Sequence, residues 1–401
     1  MTIYALSTGP GISGVAIIRV SGPDTKEVVK KITTTDLSPP RVATIKKFYK
    51  INTNELIDEG ILLWFPAPNS YTGQDMAEFH VHGSLAVTEA IQSSISKIKN
   101  CRLADPGEFT KIAFQNGKIN LLKAESIADL ISSETEIQRQ QAIKIMSGKS
   151  SEKFNSWRKE LLKILSNLEA KIDFPDEDLP EDILKNIRFN SEKIKSEILK
   201  TLNDQKVGER IREGFKIAIV GPTNAGKSSL LNYLSRREVA IVSEIAGTTR
   251  DVIETHLNIN GLPVVVSDTA GIRESKDEIE KKGIKLALKR AEDADLIIVV
   301  IEPKSGRFTG FLKELISDKS IIVVNKSDLG IYNMIDEFKK YNPIYVSIKN
   351  GKNLEQLIST INEKLKNQFI NSENILITRD RHRQNLEQCV SCLENFKNKN
   401  E

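Results

Sequence analysis

Apolar positions change pattern three times along this 401-residue chain, and each change marks a shift in the kind of element expected. Over residues 1–118, short strand-like runs such as Val15 to Val20 and Gly60 to Phe65 lie between turn clusters at Gly9-Pro10-Gly11 and Pro66-Ala67-Pro68. That alternation predicts an α+β domain. From Leu121 the spacing lengthens: Leu121, Ala124, Ala128 and Ile131, then Trp157, Leu161, Leu165, Leu168 and Ile172, recur three or four apart. This is the period of amphipathic helices, so residues 119–210 are expected to be helical. A break is expected between Asp173 and Asp182, where Pro175 and Pro180 cannot continue a helix and six carboxylates favour water. Without a glycine for the sharp turn of a calcium loop, the stretch reads as a solvated linker.

Over residues 211–372 strands alternate with helices, as in a mostly parallel sheet covered on both faces. The expected strands are Lys216 to Val220, Pro263 to Ser267, Leu296 to Ile301, Ile321 to Val324 and Ile344 to Val346. Val252 to Ile259, followed by Asn260-Gly261, reads as an antiparallel strand entering a two-residue hairpin. Helix returns over 373–401, where Leu386, Cys389, Val390, Leu393 and Phe396 form a stripe. A stripe must be buried against something, and the helices of 119–210 are the matching partner. The α/β part is therefore expected to be inserted into a discontinuous helical domain.

Composition adds limits. With 39% apolar residues the chain can bury real cores, and a net charge of +4 neither demands nor excludes a nucleic-acid partner. Three cysteines cannot all pair and suit a reducing compartment; Cys389 and Cys392, at helical spacing, read as small core residues. The start lacks a basic run before an apolar stretch, and Leu296 to Ile301 is far short of a membrane span. A cytoplasmic protein without a membrane partner is expected.

Four runs carry the chemistry: Gly221-Pro-Thr-Asn-Ala-Gly-Lys227-Ser228, Gly247-Thr-Thr249-Arg, Asp268-Thr-Ala-Gly271 and Asn325-Lys-Ser-Asp328. The first follows an apolar strand and opens a helix, the setting of a phosphate-binding loop. Loop amides cradle phosphates, Lys227 reaches the β and γ phosphates, and the Ser228 hydroxyl ligates magnesium. Asp268 holds magnesium directly or through water, the Gly271 amide senses the γ phosphate, and Thr249 completes the metal shell only when that phosphate is present. The Asp328 carboxylate accepts hydrogen bonds from N1 and the exocyclic amine of guanine, a pair adenine does not present, so GTP is preferred over ATP. Ser347 ends the last strand where a following amide meets the guanine oxygen. Ile272 stands where Ras-type enzymes carry a water-orienting glutamine, so another group must serve; Glu274, Asp277, Glu278 and Glu280 are nearby.

Ile272, the Gly-Thr-Thr-Arg run, Asn224 and the flanking helical halves resemble the MnmE (TrmE) family of bacterial tRNA modification GTPases. So do Tyr71-Thr-Gly73, Ala104-Asp-Pro-Gly-Glu-Phe109 and Lys123-Ala-Glu-Ser-Ile-Ala-Asp129. The resemblance implies homodimerisation through the nucleotide domains, with potassium held by Asn224, Ser243, Ile245 and Thr248, magnesium by Ser228 and Thr249, and water oriented by Glu280. It implies nucleotide contacts from Ala225, Gly226, Lys227 and Ser229, from Glu244, Ala246 and Gly247, from Thr269 and Ala270, and from Lys326. It further implies a 5-formyltetrahydrofolate or related one-carbon folate on Arg19, Glu78 and Lys118, and joint action with the flavoprotein MnmG. The expected product is a carboxymethylaminomethyl-type group at C5 of the wobble uridine (U34) of certain tRNAs.

One departure is that the family's Cys-x-Gly-Lys tail has no counterpart before Glu401, so a weakened helical domain and impaired modification are expected. Glu78, His80 and His82 alternate along one strand, and hydrogen-bonded histidines beside the folate are preferred to a zinc site. Two other readings stand beside this one: a ribosome-assembly GTPase acting as a binding switch, and a folate-dependent transferase regulated by GTP.

Overall fold

The computed structural model describes residues 1–174, 182–222, 224–237, 240–241, 254–267, 288–303, 313–330, 341–369 and 376–398. Two compact units, Met1–Glu125 and Ser126–Glu401, make up the chain. In the first, β1 (Thr2–Leu6), β2 (Ser13–Ser21), β3 (Thr44–Tyr49), β4 (Leu56–Phe65), β5 (Met76–Gly83) and β6 (Cys101–Leu103) form a sheet ordered β3-β4-β5-β2-β1-β6. Strand alternation sends Ile18, Val20, Phe79 and Val81 to one face, where α1 (Thr25–Thr33) and α2 (Leu85–Ser96) cover them with Val28, Val29, Ile32, Ile91 and Ile95. Phe48 and Phe79 meet edge to face at 5.5 Å, a contact worth about 0.5–1.5 kcal/mol beyond its buried area. Arg19 and Glu78, paired across β2 and β5, alternate with those core positions and so occupy the opposite face. A short α3 (Glu108–Gln115) follows β6.

The second unit begins with helices: α4 (Leu121–Ile131, whose first residues lie in the first unit), α5 (Glu136–Met146), α6 (Lys149–Asp173), α7 (Ile183–Leu202) and α8 (Val207–Glu213). Thr135 and Gln138 close a reciprocal capping box that starts α5. The expected break falls between α6 and α7, and residues 175–181 lie outside the described ones.

Trp157 of α6 is 4% exposed, but Leu165 and Ile172 of the same stripe are 48% and 67% exposed, as is Ile131 of α4 at 81%. The period identifies positions that share a face; how much of the face is buried depends on partners it does not encode. The last helix, here α11 (Asp380–Asn398), packs Leu386, Cys389, Val390 and Leu393 against Trp157, Ile194 and Ile198, as the stripe predicted. Cys392 instead faces solvent.

Between these helices lies a seven-stranded sheet of β7 (Phe215–Val220), β8 (Ala240–Ile241), β9 (Glu254–Ile259), β10 (Leu262–Ser267), β11 (Leu296–Ile301), β12 (Ser320–Val324) and β13 (Ile344–Tyr345), ordered β13-β12-β11-β7-β10-β9-β8. Ile217, Ile298 and Val323 enter one core with α9 (Lys227–Arg237) and α10 (Leu354–Phe369), while Ala218, Val299 and Val324 enter a second core. Burial on both faces explains why β11 reads Leu-Ile-Ile-Val-Val-Ile without alternation. The antiparallel pair β9–β10 turns at Asn260 and Gly261, whose φ of 48° and 88° suit the tight hairpin turn. Among the described residues no helix is long and apolar enough to cross a membrane.

Candidate functional site

The phosphate loop runs from β7 into α9. Gly221 has φ 151°, and a Cβ there would strike the Val300 carbonyl oxygen of β11; a Cβ at Gly226, φ 100°, would strike Asn325 Nδ2. At Gly221 the backbone of β11 occupies the side-chain space, and at Gly226 the Asn325 side-chain amide does, so both positions need glycine. Lys227 Nζ donates to the Gly221 and Pro222 carbonyls at 2.9 and 2.8 Å, folding its stem back over the loop. Ser228 and Ser229 open α9 and are exposed, as is Asn224, whose φ is 66°; Ala225 is fully buried. The positive end of α9 and the loop amides are therefore presented together, an arrangement suited to phosphate oxygens.

The base-side loop is joined to this one by a buried amide. Asn325, 4% exposed at the end of β12, donates from Nδ2 to the Ala225 carbonyl at 2.8 Å, and its Oδ1 accepts from the Ile348 N–H at 3.2 Å. Only one orientation of the amide satisfies a carbonyl on one side and an N–H on the other. Ser347 Oγ donates to Asp328 Oδ1 at 2.6 Å, and that bond leads the causes holding the exposed Asp328 carboxyl below its ordinary value. Asp328 thus stays ionised and acceptor-only, a state able to accept two N–H groups side by side. Lys326, in the left-handed region at φ 61°, places Nζ 2.5 Å from Glu302 at the end of β11. Sequence reasoning missed Glu302, which carries no motif and matters only through that contact.

The structure brings Asn224, Ala225, Gly226, Lys227, Ser228 and Ser229 together with Asn325, Lys326, Asp328 and Ser347 at the ends of β7, β12 and β13. Ser243, Glu244, Ile245, Ala246, Gly247, Thr248 and Thr249 lie outside the described residues, as do Asp268, Thr269, Ala270, Gly271, Ile272 and Glu280. Of the four expected potassium ligands, only Asn224 is described.

A second cluster lies on the open face of the first unit's sheet. Arg19 Nε donates to Glu78 Oε1 at 2.9 Å, and the guanidinium carbon stands 5.6 Å from the Tyr71 ring centre and 5.7 Å from that of Phe109. Tyr71 Oη and Thr110 Oγ1 share a hydrogen bond of 2.9 Å. Lys118 follows α3 and lays its stem against Gly73, where a Cβ would come within 2.8 Å of its Cε. Tyr71 and Phe109 were not named as site residues, although both stand in the motif runs quoted above.

His80 Nε2 lies 3.4 Å from Glu78 Oε2, whereas His82 turns away to Asp58, with 2.8 Å bonds from both its backbone N–H and its ring. The three strand residues therefore do not converge. Among the described residues no group of three or more His, Cys, Asp or Glu side chains is placed to hold a metal ion.

Comparison with known proteins covers the whole chain. The model of the GTP-binding protein TrmE N-terminus matches residues 2–118, and that of the MnmE helical domain matches 121–401. A tRNA modification GTPase MnmE of Pelagibacter ubique is 72% identical over 401 residues, covering 100% of this chain and 90% of the relative. Proteins of the same name from Rickettsia bellii and Parvibaculum lavamentivorans are 45% and 42% identical, each over 98% of this chain and over 90% and 88% of their own length.

Proposed function

This chain belongs to the MnmE family of tRNA modification GTPases, and from that premise we propose a potassium-stimulated GTP hydrolase that acts in wobble-uridine modification. GTP would be bound between the phosphate loop and the loop of Asn325 to Asp328. The observation that carries the reading is the bond from Asn325 to Ala225, which fixes the base-reading loop on the phosphate-reading loop and so sets the distance between them. Lys227 and the amides at the start of α9 would hold phosphate oxygens, Ser228 and Thr249 magnesium, and Asn224, Ser243, Ile245 and Thr248 potassium. Such cations offset charge developing on the leaving oxygen. Glu280 would orient the attacking water. Ribosome assembly has no support in the family result, which spans both flanking regions as well as the nucleotide-binding part.

The residues 1–118 would form a folate domain, 119–210 and 373–401 two parts of a helical domain, and 211–372 the inserted nucleotide domain. The Arg19 cluster fits a one-carbon folate: Glu78 is an acceptor for an amine and ring N–H, Tyr71 and Phe109 offer ring faces, and exposed Lys118 suits a glutamyl carboxylate. When bound, the folate would supply the one-carbon unit. The working assembly would be a cytoplasmic homodimer joined by MnmG, with tRNA as substrate.

Asp328→Asn tests the guanine assignment. The amide presents an N–H where the carboxylate only accepts, so preference should move from guanosine to xanthosine nucleotides. Unchanged GTP affinity and no gain for xanthosine triphosphate would remove Asp328 from base recognition.

A further inference from the structure

Helix α8 is shared between two cores. Its Val207 and Ile211 are buried with the strands and helices of the nucleotide-binding sheet, which the chain enters directly afterwards at Phe215. Its polar side is held by the helical part: Gln141 of α5 donates to the Gly208 carbonyl at 2.9 Å, and Gln138 to the Arg212 carbonyl at 3.2 Å. Arg210 reaches the other way, to Asp295 at 2.6 Å at the foot of β11.

The outgoing chain is tied to the same place. Arg383 of α11, 6% exposed, bonds Glu209 at 2.8 Å and Asp204 at 2.6 Å. Burial opposes its charge, but those two carboxylates outweigh burial and raise its pKa above the ordinary value. The incoming and outgoing segments are thereby locked to each other. Asp129 of α4 then holds both: Arg212 Nε lies 3.0 Å and Arg379 Nη2 2.6 Å from its Oδ1. A cavity of about 70 Å³, lined in part by Asp129, Gln138, Gln141, Arg212 and Thr378, adjoins this point.

We infer that Asp129 is a positioning residue, the carboxylate that joins Arg212 of the incoming segment to Arg379 of the outgoing one and so orients both crossings between the nucleotide-binding part and the helical part. The carboxylate offsets the repulsion between two partly buried guanidiniums, and removing it weakens that compensation on both arms, although Glu213 stays 3.2 Å from Arg212. The inference rests on the reading of GTP turnover linked to tRNA modification. It assigns Asp129 no contact with nucleotide, and its mutation should spare hydrolysis while uncoupling it from modification.

The experiment uses the full chain with Asp129→Asn, and Asp129→Glu as the charge-conserving rescue. Spin labels at Lys163 on α6 and Lys366 on α10, with Cys101, Cys389 and Cys392 replaced by serine, report the separation of the two parts. We expect a narrow distance distribution in the parent, a broadened one in Asp129→Asn, and recovery in Asp129→Glu. GTP hydrolysis should stay within about twofold while wobble-uridine modification in cells lacking the native gene falls about tenfold, the scale of a coupling change of 1.4 kcal/mol. If Asp129→Asn does not fold, Arg379→Gln removes one arm of the same contact and is read identically. An unchanged distance distribution, an equal fall in hydrolysis and modification, or unimpaired modification would overturn the inference. Failure of the parent to support modification would instead count against the proposed role in wobble-uridine modification, and the distance measurement would still judge Asp129.

Discussion

Asn325→Ala removes two contacts at once, and the structure sets the scale of the loss. The side chain is 4% exposed; it caps the carbonyl of fully buried Ala225 and accepts from the Ile348 amide. Alanine fills neither role, so a buried carbonyl and a partly buried N–H lose their partners. Each such group costs about 1–3 kcal/mol, or about 2–6 kcal/mol for the pair. Both belong to loops that wall the nucleotide cleft, so the cost should appear as lost affinity. At about 1.4 kcal/mol per factor of ten, the lower bound corresponds to roughly 30-fold weaker GDP binding. Equilibrium titration with a fluorescent GDP analogue measures it, with thermal unfolding of the nucleotide-free protein as the control for folding. Affinity within about threefold of the parent, less than 1 kcal/mol, would show that the amide does not hold the two loops in register.

Arg383→Met should destabilise the helical part by about 3–5 kcal/mol in urea unfolding, because buried Glu209 and half-buried Asp204 would both lose their counter-charge. A loss under about 1 kcal/mol would mean water reaches those carboxylates. Asp58 gives a pH signature: burial raises its pKa, but hydrogen bonds from His82 outweigh burial and hold it below the ordinary 3.8. Its contribution to stability should be complete above that value and disappear as pH falls through the depressed one, so Asp58→Asn should flatten the acid limb of the unfolding curve. Identical acid limbs would contradict the His82 contact.

Much of the architecture was legible where the signal is local. Six consecutive apolar residues bounded by polar ones gave β11 to the residue, and Asn260-Gly261 gave the hairpin because few other pairs tolerate positive φ twice in succession. The phosphate and base loops were legible for the same reason, since spacing within each run is enough to place its groups. Arg383, Asp129 and Glu302 were not. Their partners lie far away in sequence, as with Arg379 and Asp129 at 250 residues, and a buried charge looks like any surface charge until its partner is known. The β1–β6 pairing is similar: Thr2 meets Cys101 across the sheet edge, and no local period encodes that neighbour. Nor does the stripe of α6 reveal that its second half stays exposed.

Parallel initial rates of GTP hydrolysis in potassium chloride and in sodium chloride, at equal ionic strength with magnesium saturating, test the proposed activity most directly. A large monovalent cation at Asn224 and its neighbours should make the potassium rate at least about tenfold higher, a transition-state stabilisation of about 1.4 kcal/mol. Equal rates in the two salts would contradict it.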